Sequence, residues 1–367
     1  MSYITSIGTA SPAHKFNQQT IAAFMARAMQ LNAVDTRKLC ALYRATGIDT
    51  RYSVLEDYGR TDDFTFYENS HNLEPFPATS QRLQVYRQCA VQLSIAAVQQ
   101  CLAKRPGFDN QHITHLIVVS CTGMYAPGLD IDLVKALNLN SSVQRTAINF
   151  MGCYAAFNGV KTAHHICQSQ REAKVLVVCT ELCSLHFQKE NNEDNWLANA
   201  LFADGSAALL MENTPAPGVN LKPTSFYCDL ALQGEEDMAW AIGDRGFEMR
   251  LSSYIPNVIR TGIHQLTMAL LQHTASTVAD IEYFAIHPGG KKILEVIEEE
   301  LGLTKDHNRF AYNILRQYGN MSSPTVLFVL ASIAETLNGV DNGKKVLSFA
   351  FGPGLTLESM LLTIETH

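Results

Sequence analysis

The sequence predicts an α/β protein built from two similar halves, with helices and sheets stacked in five layers, α/β/α/β/α. Strand-like segments alternate with helix-like segments along most of the 367 residues. The strand-like segments are continuous apolar runs, which is typical of sheets that are covered on both faces. A chain of this length is too long for one simple core. We therefore expect an N-terminal half over residues 1–222 and a C-terminal half over residues 223–367.

The spacing between matching segments indicates a duplication. Ser120 and His287, each near the end of a predicted strand, lie 167 residues apart. Cys153 and Asn320, each just before a long predicted helix, are also 167 residues apart. A near-constant offset predicts a repeated strand–helix unit and a pseudo-two-fold axis. Because sites in open α/β units form beyond the carboxyl ends of strands, Cys153, His287 and Asn320 are expected to converge.

In the first half, apolar runs predict the strands and the 3.6-residue period predicts the helices. Ser80 is expected to cap the longest helix, because its hydroxyl can accept a bond from a free N–H group. Residues 57–77 are polar and contain two prolines, which predicts an irregular loop. The predicted strands are Tyr3–Ile7, His115–Cys121, a buried run ending at Met151, Lys174–Cys179 and part of Leu201–Met211, and the predicted helices are Gln18–Leu31, Gln81–Lys104, Leu129–Leu137 and Cys153–Gln170.

The second half repeats this layout after a turn-rich join at Pro215–Pro223. Pro324 suits the first position of a helix, where a missing N–H costs nothing. The predicted strands are Glu282–His287, Lys345–Phe351 and Leu355–Ile364, and the predicted helices are Asn257–His273, Lys291–Leu301 and Pro324–Leu337.

The segment Ala147–Gly159 predicts a buried strand, a sharp turn and a helix that begins at Cys153. A thiol there faces free N–H groups and the positive end of the helix dipole, which favour the thiolate. Gly152 removes a side chain where the turn is tight and a substrate must approach. Cys153 fits a nucleophile, and it also fits an inert buried cysteine, the commoner fate of a free cysteine.

Composition excludes several classes of protein. A net charge of −7 without a long basic run argues against nucleic acid or an anionic membrane surface as a partner. No apolar run is long enough to span a bilayer, and the first residues do not form a signal peptide. The nine cysteines follow no repeating pattern, so we expect free thiols in the reducing cytoplasm. Cys179, Cys183 and His186 lack the fourth ligand of a closed zinc site, and no metal is expected.

A cysteine, a histidine and an asparagine at one place suit chemistry on a thioester. The Cys153 thiolate can attack a thioester and hold its acyl group. His287 can keep the thiol ionised, and with Asn320 it can donate hydrogen bonds to the thioester oxygen. Loss of CO2 from a malonyl thioester places charge on that oxygen, so no base has to remove a proton. Taken singly, His287 also fits a strand-end residue bonded to backbone, and Asn320 fits a helix N-cap.

Five short motifs along the chain resemble those of a known protein family. They are Met151–Ala156, Ala200–Ala207, Ile286–Gly290, Tyr318–Ser323 and Phe351–Leu355. On these segments the sequence resembles the type III polyketide synthases, the chalcone and stilbene synthase family of the thiolase superfamily. The resemblance implies a thiolase-like fold and iterative decarboxylative condensation of malonyl-CoA onto an acyl-CoA starter, followed by cyclisation. The stretch Trp240–Ser252 looks more like bacterial members than plant ones.

The resemblance also implies roles for individual residues. Cys153 would be the nucleophile, and His287 and Asn320 the decarboxylation and oxyanion pair. Phe202 matches the aromatic gate between the coenzyme A tunnel and an internal cavity, and its alternative is a core phenylalanine. The remaining substrate-pocket positions that the resemblance implies are Ala126, His186, Ser322, Phe351, Gly352 and Pro353.

The resemblance implies partners as well. Lys38 and Arg44 lie in the segment that usually contacts the phosphates of coenzyme A, although Ala41 and Ala45 stand where plant members have cations. Coenzyme A thioesters are then substrates, and no further cofactor is expected. A homodimer is implied, with its interface near Ala126.

Three other functions remain open at this point. A ketoacyl synthase III-like enzyme would use the same triad with an acyl carrier protein. A cysteine hydrolase also uses cysteine, histidine and asparagine, but there the asparagine orients the histidine. A non-catalytic acyl-binding protein could keep the same fold.

Overall fold

The described part of the chain, residues 1–235, 237–252 and 254–367 of a computed structural model, is a mixed α/β structure. Its strands are β1 Tyr3–Ala10, β2 His14–Asn17, β3 Thr50–Ser53, β4 His115–Ser120, β5 Gln144–Asn149, β6 Lys174–Leu182, β7 Asp204–Glu212, β8 Val219–Leu230, β9 Met238–Gly243, β10 Gly246–Leu251, β11 Tyr283–Ile286, β12 Lys345–Gly352 and β13 Thr356–Thr366. Its helices are α1 Gln18–Ala28, α2 Ala33–Ala45, α3 Thr79–Ala103, α4 Leu129–Ala136, α5 Ala155–Ser169, α6 Glu193–Leu201, α7 Ile255–Gln272, α8 Lys291–Leu301, α9 Arg309–Tyr318 and α10 Pro324–Ala334.

Nine of the described strands form one sheet in the order β11-β12-β13-β8-β1-β7-β6-β4-β5. The two halves repeat the same pairing. β1, β7, β6 and β4 pair antiparallel, antiparallel and parallel, and so do β8, β13, β12 and β11. The two sets meet where Ile4 pairs with Leu221. The predicted duplicated α/β fold is thus confirmed.

Helices α5 and α10 form the layer between the two halves. Each contacts strands of both halves, since α5 packs on β4 and β13 and α10 packs on β7 and β11. Helix α3 covers the first set of strands, and α7 covers the second. These contacts produce the five layers that the sequence predicts.

The strand β6 shows why the apolar runs are continuous. Val175 and Val177 join one core cluster, and Leu176 and Val178 join another. Successive side chains of a strand point to opposite faces, so a strand between two helix layers is apolar at every position. All four of these residues are fully buried.

The strand β5 differs from its prediction. It is the last strand at one edge of the sheet, and Gln144–Ala147 are exposed in the single chain rather than buried. An apolar run indicates a strand but not its place in the sheet order, and an edge strand has only one neighbour. The exposed edge becomes relevant to assembly below.

Two predicted boundaries of secondary-structure elements were also wrong. Helix α3 begins after Ala78, not after Ser80, because the Gln81 side chain accepts a hydrogen bond from the Ala78 N–H at 2.8 Å and closes the first turn. The join at Pro215–Pro223 is shorter than expected, because β8 starts at Val219. Pro223 fits in β8 beside an irregularity in the pairing with β13.

The hairpin of β9 and β10 was not predicted. Its side chains alternate, and Met238 and Leu251 face inward while Ala241 and Glu248 face outward. The hairpin therefore covers the interior with one face. None of the described helices is long and apolar enough to cross a membrane.

Candidate active site

The turn that carries Cys153 is built by both halves of the protein. Cys153 lies in a 3₁₀ turn, Gly152–Tyr154, between β5 and α5. Gly152 has a φ of +78°, and a Cβ atom there would lie 2.3 Å from Cδ of Pro353. The expected tight turn is confirmed, but the space beside Gly152 is filled by the ring of Pro353 rather than left for a substrate. Gly352 packs under the same turn, with a built Cβ 3.4 Å from the Cys153 nitrogen.

Asn320 lies beside the thiol. Its Oδ1 is 4.0 Å from Sγ of Cys153 and accepts a hydrogen bond from the Ser322 N–H at 2.8 Å. Its Nδ2 donates to the Gly289 carbonyl at 3.2 Å. This uses one of the two Nδ2 hydrogens, and the other remains for a bound oxygen. Asn320 is not a helix N-cap, because α10 begins after Ser323.

The backbone of Asn320 is tied to the predicted gate residue. The Asn320 N–H donates to Leu201 O at 2.9 Å, and Ala203 N–H donates to Asn320 O at 2.8 Å. These bonds flank Phe202 on both sides, so that Phe202 and Asn320 form an isolated parallel bridge. A shift of either residue must move the other.

His287 is a buried histidine whose ring has no hydrogen-bond partner among the described residues. It follows β11, is 1% exposed, and its backbone N–H donates to Phe349 O at 2.8 Å. Both ring nitrogens are unpaired. The alternative of a strand-end histidine bonded through its ring to backbone therefore does not hold. An unpaired buried imidazole is costly, which indicates a group kept for a ligand.

The charges of His287 and Cys153 are set by burial. Burial lowers the pKa of His287 to about 3. Burial also raises the pKa of the Cys153 thiol to about 11, with a smaller contribution from the Glu181 carboxylate. Burial thus opposes the predicted ionisation of the thiol, and among the described residues no hydrogen bond joins the thiol to the imidazole. Burial therefore favours the neutral form of both groups, and a neutral thiol needs an acceptor for its proton before it can attack.

One cavity holds most of the predicted site. Cys153, His287 and Asn320 all line it. Of the substrate-pocket residues, Phe202, His186, Ser322, Phe351 and Pro353 line it too, whereas Gly352 lies beneath the Cys153 turn. Ala126 is exposed and lies outside the cavity lining.

His186 is a fixed wall of this cavity. Its Nδ1 accepts from the Phe247 N–H at 2.9 Å, so that its Nε2 carries the hydrogen and donates to Thr122 O at 2.7 Å. The ring stacks on Phe247 with centroids 4.2 Å apart. Burial lowers the pKa of His186 to about 3. The ring stays neutral and oriented, which suits a pocket wall better than a proton carrier.

Several lining residues were missed by the sequence analysis. Trp240 of β9 lines the cavity, and its Nε1–H donates to Cys121 O at 2.8 Å. Cys121 and Cys183 line it as well. Alternation of Met238 with Trp240 was a possible signal for an inward-facing strand. A short hairpin with small and polar residues gives a weak pattern, however.

Glu181 forms a buried network behind the thiol. Its carboxyl group accepts hydrogen bonds from the Cys121 N–H at 2.9 Å, from Thr122 Oγ1 at 2.7 Å and from Ser323 Oγ at 2.8 Å. Burial raises the pKa of Glu181 to about 7. The network joins the end of β4 to the start of α10, and so fixes the two walls around Cys153.

Comparison with known families shows to which family the chain belongs. Residues 1–215 match the N-terminal domain of the chalcone and stilbene synthases, and residues 228–365 match the C-terminal domain. The chain belongs to the chalcone and stilbene synthase family. Its members are type III polyketide synthases, which are acyltransferases that use malonyl-CoA and acyl-CoA.

Proteins related to this type III polyketide synthase align with nearly the whole length of the chain. A protein of Bacillus subtilis named putative chalcone synthase is 31% identical over 100% of this chain and 99% of its own length. The alpha-pyrone synthesis polyketide synthase-like Pks18 of Mycobacterium tuberculosis is 30% identical over 98% of this chain and 91% of its own length. The chain spans only 11% of the probable polyketide synthase 1 of Dictyostelium discoideum, to which it is 31% identical.

Solved structures agree with this assignment. The crystal structure of PKS-I from the brown alga Ectocarpus siliculosus matches with a TM-score of 0.92 and 29% identity, over 99% of this chain and 98% of that one. The C-terminal type III polyketide synthase domain of Steely1 from Dictyostelium matches with a TM-score of 0.89 and 29% identity, over 99% of both chains. These matches confirm the thiolase-like fold and give no support to the ketoacyl synthase III alternative.

Proposed function

We propose that this type III polyketide synthase family member condenses malonyl-CoA with an acyl-CoA starter on Cys153, repeats the extension and cyclises the product in one cavity. The observation that supports this best is the set of three groups on one cavity. The thiol of Cys153, the unpaired ring of His287 and the anchored amide of Asn320 share that lining. Each group has a distinct chemical task.

In the loading step, His287 takes the proton of the Cys153 thiol, and the thiolate attacks the thioester carbonyl. A neutral imidazole has one acceptor nitrogen for this proton. The bond between the carbonyl carbon and the coenzyme A sulfur breaks, and the departing thiolate takes the proton from the imidazolium. The acyl group is then held on Cys153, and His287 is neutral again.

In the extension step, malonyl-CoA loses its carboxylate as CO2. The electron pair of the broken bond passes to the thioester oxygen as an enolate. The second Nδ2 hydrogen of Asn320 and an N–H of His287 are the donors for that oxygen. The enolate carbon attacks the acyl-Cys153 carbonyl, and the Cys153 thiolate leaves. The lengthened chain is a coenzyme A thioester that can load again.

The contacts of Asn320 argue against a cysteine hydrolase. In that arrangement the asparagine hydrogen-bonds the histidine and orients it. Here the Asn320 amide bonds Gly289 and Ser322, and the ring of His287 bonds no group in the described structure. An amide free of the histidine suits an oxyanion donor.

Incubation with malonyl-CoA alone tests the proposed function. Release of CO2 with formation of acetyl-CoA supports decarboxylative condensation chemistry. Free malonate with no CO2 would show a hydrolase, and the absence of any turnover or adduct would show a binding protein. A panel of acyl-CoA starters with product masses then identifies the starter and the number of extensions.

The exposed edge of the sheet supports assembly as a homodimer. Strand β5 exposes Gln144–Ala147. Met151, two residues after β5, and Met124, four residues after β4, are 36% and 38% exposed. Unpaired edges and exposed methionines of this kind favour burial against another chain. Ala126 is exposed two residues from Met124. Light scattering of the purified protein distinguishes a dimer from a monomer.

The free thiols support a reducing compartment, and the reaction steps given above support a reaction without a cofactor. All nine cysteines of the chain are free thiols in the structure. The steps above need only the coenzyme A thioesters and the three side chains. Full activity after dialysis against a chelator and a reductant is the expected result.

A further inference from the structure

Arg51 is the only described residue in the lining of the Cys153 cavity that carries a permanent charge. It belongs to β3, and its side chain is 3% exposed. Lys38 and Arg44, the cations that the resemblance implies for coenzyme A, are exposed on α2 and lie outside this lining. Because a buried charge is costly unless it is hydrogen-bonded, the contacts of Arg51 indicate its role.

The carboxyl end of α6 is capped by two buried side chains. A helix leaves its last carbonyl groups without partners inside the helix. The guanidinium of Arg51 donates to Phe202 O at 2.5 Å and to Asn199 O at 2.8 Å. Gln18 Nε2 donates to Ala200 O at 2.8 Å, and Gln18 Oε1 accepts from Arg51 Nε at 2.8 Å. A cation here also interacts favourably with the helix dipole, so the pair fixes the Phe202 carbonyl.

Arg51 also contacts the segment that leads into Asn320. Gly319 has a φ of +72°, and a Cβ atom there would lie 2.9 Å from Cγ and Cδ of Arg51 and 3.0 Å from Leu201 O. The stem of Arg51 thus packs directly against Gly319. Since the Asn320 N–H donates to Leu201 O, one arginine contacts both sides of the bridge between Phe202 and Asn320.

The residues beside this arginine in β3 hold the same segment. Thr50 Oγ1 donates to Gln317 O at 2.7 Å. The rings of Tyr52 and Tyr318 stack with their centroids 5.4 Å apart. β3 is therefore fixed to the end of α9, and the arginine between these two contacts has a fixed position relative to Asn320.

We propose that Arg51 is a positioning residue for the decarboxylation step. It fixes the carbonyl of Phe202, and the bridge between Phe202 and Asn320 transmits this position to the Asn320 backbone. The proposal rests on the proposed function, because it concerns the step in which the Asn320 amide stabilises the enolate. A misplacement of about 1 Å in a catalytic group can cost a factor of about 100 in rate.

The test measures CO2 release from malonyl-CoA by R51M, at a temperature at which circular dichroism shows the variant to be folded. Its kcat is expected to fall about tenfold with KM nearly unchanged, because the donor is displaced rather than removed. Acyl loading of Cys153, followed by intact mass, should be retained.

The matched control for lost stability is N220A. Asn220 is fully buried, bonds the backbone of Ala216 and Gly218, and lies outside the cavity lining. N220A should lose stability and keep its kcat. An equal fall of kcat in N220A and R51M would overturn the proposal.

The double variant R51M/N320A separates positioning from a general structural role. If Arg51 acts through the Asn320 amide, R51M should cause no further loss of CO2 release once that amide is absent. A further loss of about tenfold in the double variant would mean independent effects and would overturn the proposal. Should R51M not fold, Q18M removes the hydrogen bonds to Arg51 and Ala200. A rate of Q18M equal to that of the unmodified protein would then overturn it.

Hydrogen exchange tests the link itself and needs no turnover. The N–H groups of Ala203 and Asn320 donate the two hydrogen bonds of the bridge. Exchange of these amides should be about tenfold faster in R51M than in the unmodified protein, and unchanged in N220A. Equal exchange in R51M and the unmodified protein would overturn the role of Arg51. Faster exchange in R51M, combined with no CO2 release by the unmodified protein, would instead overturn the proposed function.

Discussion

Cys153 and Asn320 lie 167 residues apart in the chain, and the Sγ atom of one is 4.0 Å from the Oδ1 atom of the other. Each lies just before a helix of the central layer, Cys153 before α5 and Asn320 before α10. The hydrogen bond from the Ser322 N–H to Oδ1 fixes which way the amide faces. The Nδ2 group, held by the Gly289 carbonyl, keeps one N–H for a bound oxygen before any substrate binds, which is the condition for electrostatic stabilisation of an enolate.

Removing the Asn320 amide should separate loading from decarboxylation. In N320A the CO2 release from malonyl-CoA is expected to fall by about 100-fold, the loss typical of one oxyanion donor. Acyl loading of Cys153 should survive, since the thiol and His287 remain. Scintillation counting of released CO2 measures the first effect and intact mass the second. Unchanged CO2 release in N320A would rule out this role.

The isosteric variant N320D is the matched control. It keeps the shape of the side chain but places a carboxylate beside the developing anion. It should be at least as slow as N320A in decarboxylation, because a negative charge opposes the enolate. A rate of N320D near that of the unmodified protein would mean that the enolate oxygen lies elsewhere.

Replacing His287 should slow the acyl loading of Cys153, which N320A should leave intact. H287Q keeps an N–H donor but loses the acceptor nitrogen that takes the thiol proton. Its rate of acyl transfer to Cys153 is expected to fall by at least about 100-fold, while its CO2 release stays above that of H287A. Rapid quenching followed by intact mass gives the loading rates. Equal loading by H287Q and the unmodified protein would show that another group accepts the proton.

Arg51 should be needed for the stability of the fold. It is 3% exposed, and its guanidinium donates to Phe202 O at 2.5 Å and to Asn199 O at 2.8 Å. The variant R51M leaves these carbonyl groups buried without a donor and should lower the free energy of unfolding by roughly 2–4 kcal/mol. R44M, on the exposed face of α2, should change it by less than about 0.5 kcal/mol. Urea unfolding of both variants measures the two changes in stability. Equal midpoints for R51M and R44M would contradict a stabilising role of Arg51.

The stability of the protein should depend on pH through Glu181. Its carboxyl group has a pKa of about 7 in the folded protein, above its ordinary value, because it is buried. Stability from this group is complete below pH 4.5 and is lost as the pH rises towards 7, since only the unfolded chain releases the proton in that window. Between about pH 4.5 and pH 7, the free energy of unfolding of E181Q should rise by roughly 3 kcal/mol relative to that of the unmodified protein.

Urea unfolding of the two proteins at several pH values gives this difference. The uncharged amide side chain of the E181Q variant keeps a carbonyl oxygen that can accept from the Cys121 N–H and an NH2 group that can donate to the Ser323 hydroxyl. The variant therefore preserves the network while removing the titrating group. A difference that stays constant from about pH 4.5 to pH 7 would show that Glu181 is ionised in the folded state.

Much of the fold follows from local patterns. The valines and leucines of β6 predict a strand between two helix layers, and both layers are present. The common offset of 167 places Cys153 and Asn320 in equivalent positions, and both line one cavity. Such features depend on residue period and repeat, which the sequence displays directly.

What the sequence missed depends on packing between distant segments. The exposure of β5 follows from its place at the end of the sheet order. The raised pKa of Cys153 follows from burial that its own helix does not reveal. The start of α8 packs against the end of α2, where the side chain of Lys291 contacts Gly47. No local pattern in either segment indicates that contact.

The measurement that tests the central claim most directly is intact-protein mass after incubation with an acyl-CoA starter. The unmodified protein is expected to gain one acyl group, mapped by peptide digestion to the segment that contains Cys153. The variant C153A is expected to gain none. A stoichiometric acyl adduct on C153A, or an adduct that maps to another cysteine of the unmodified protein, would contradict the account.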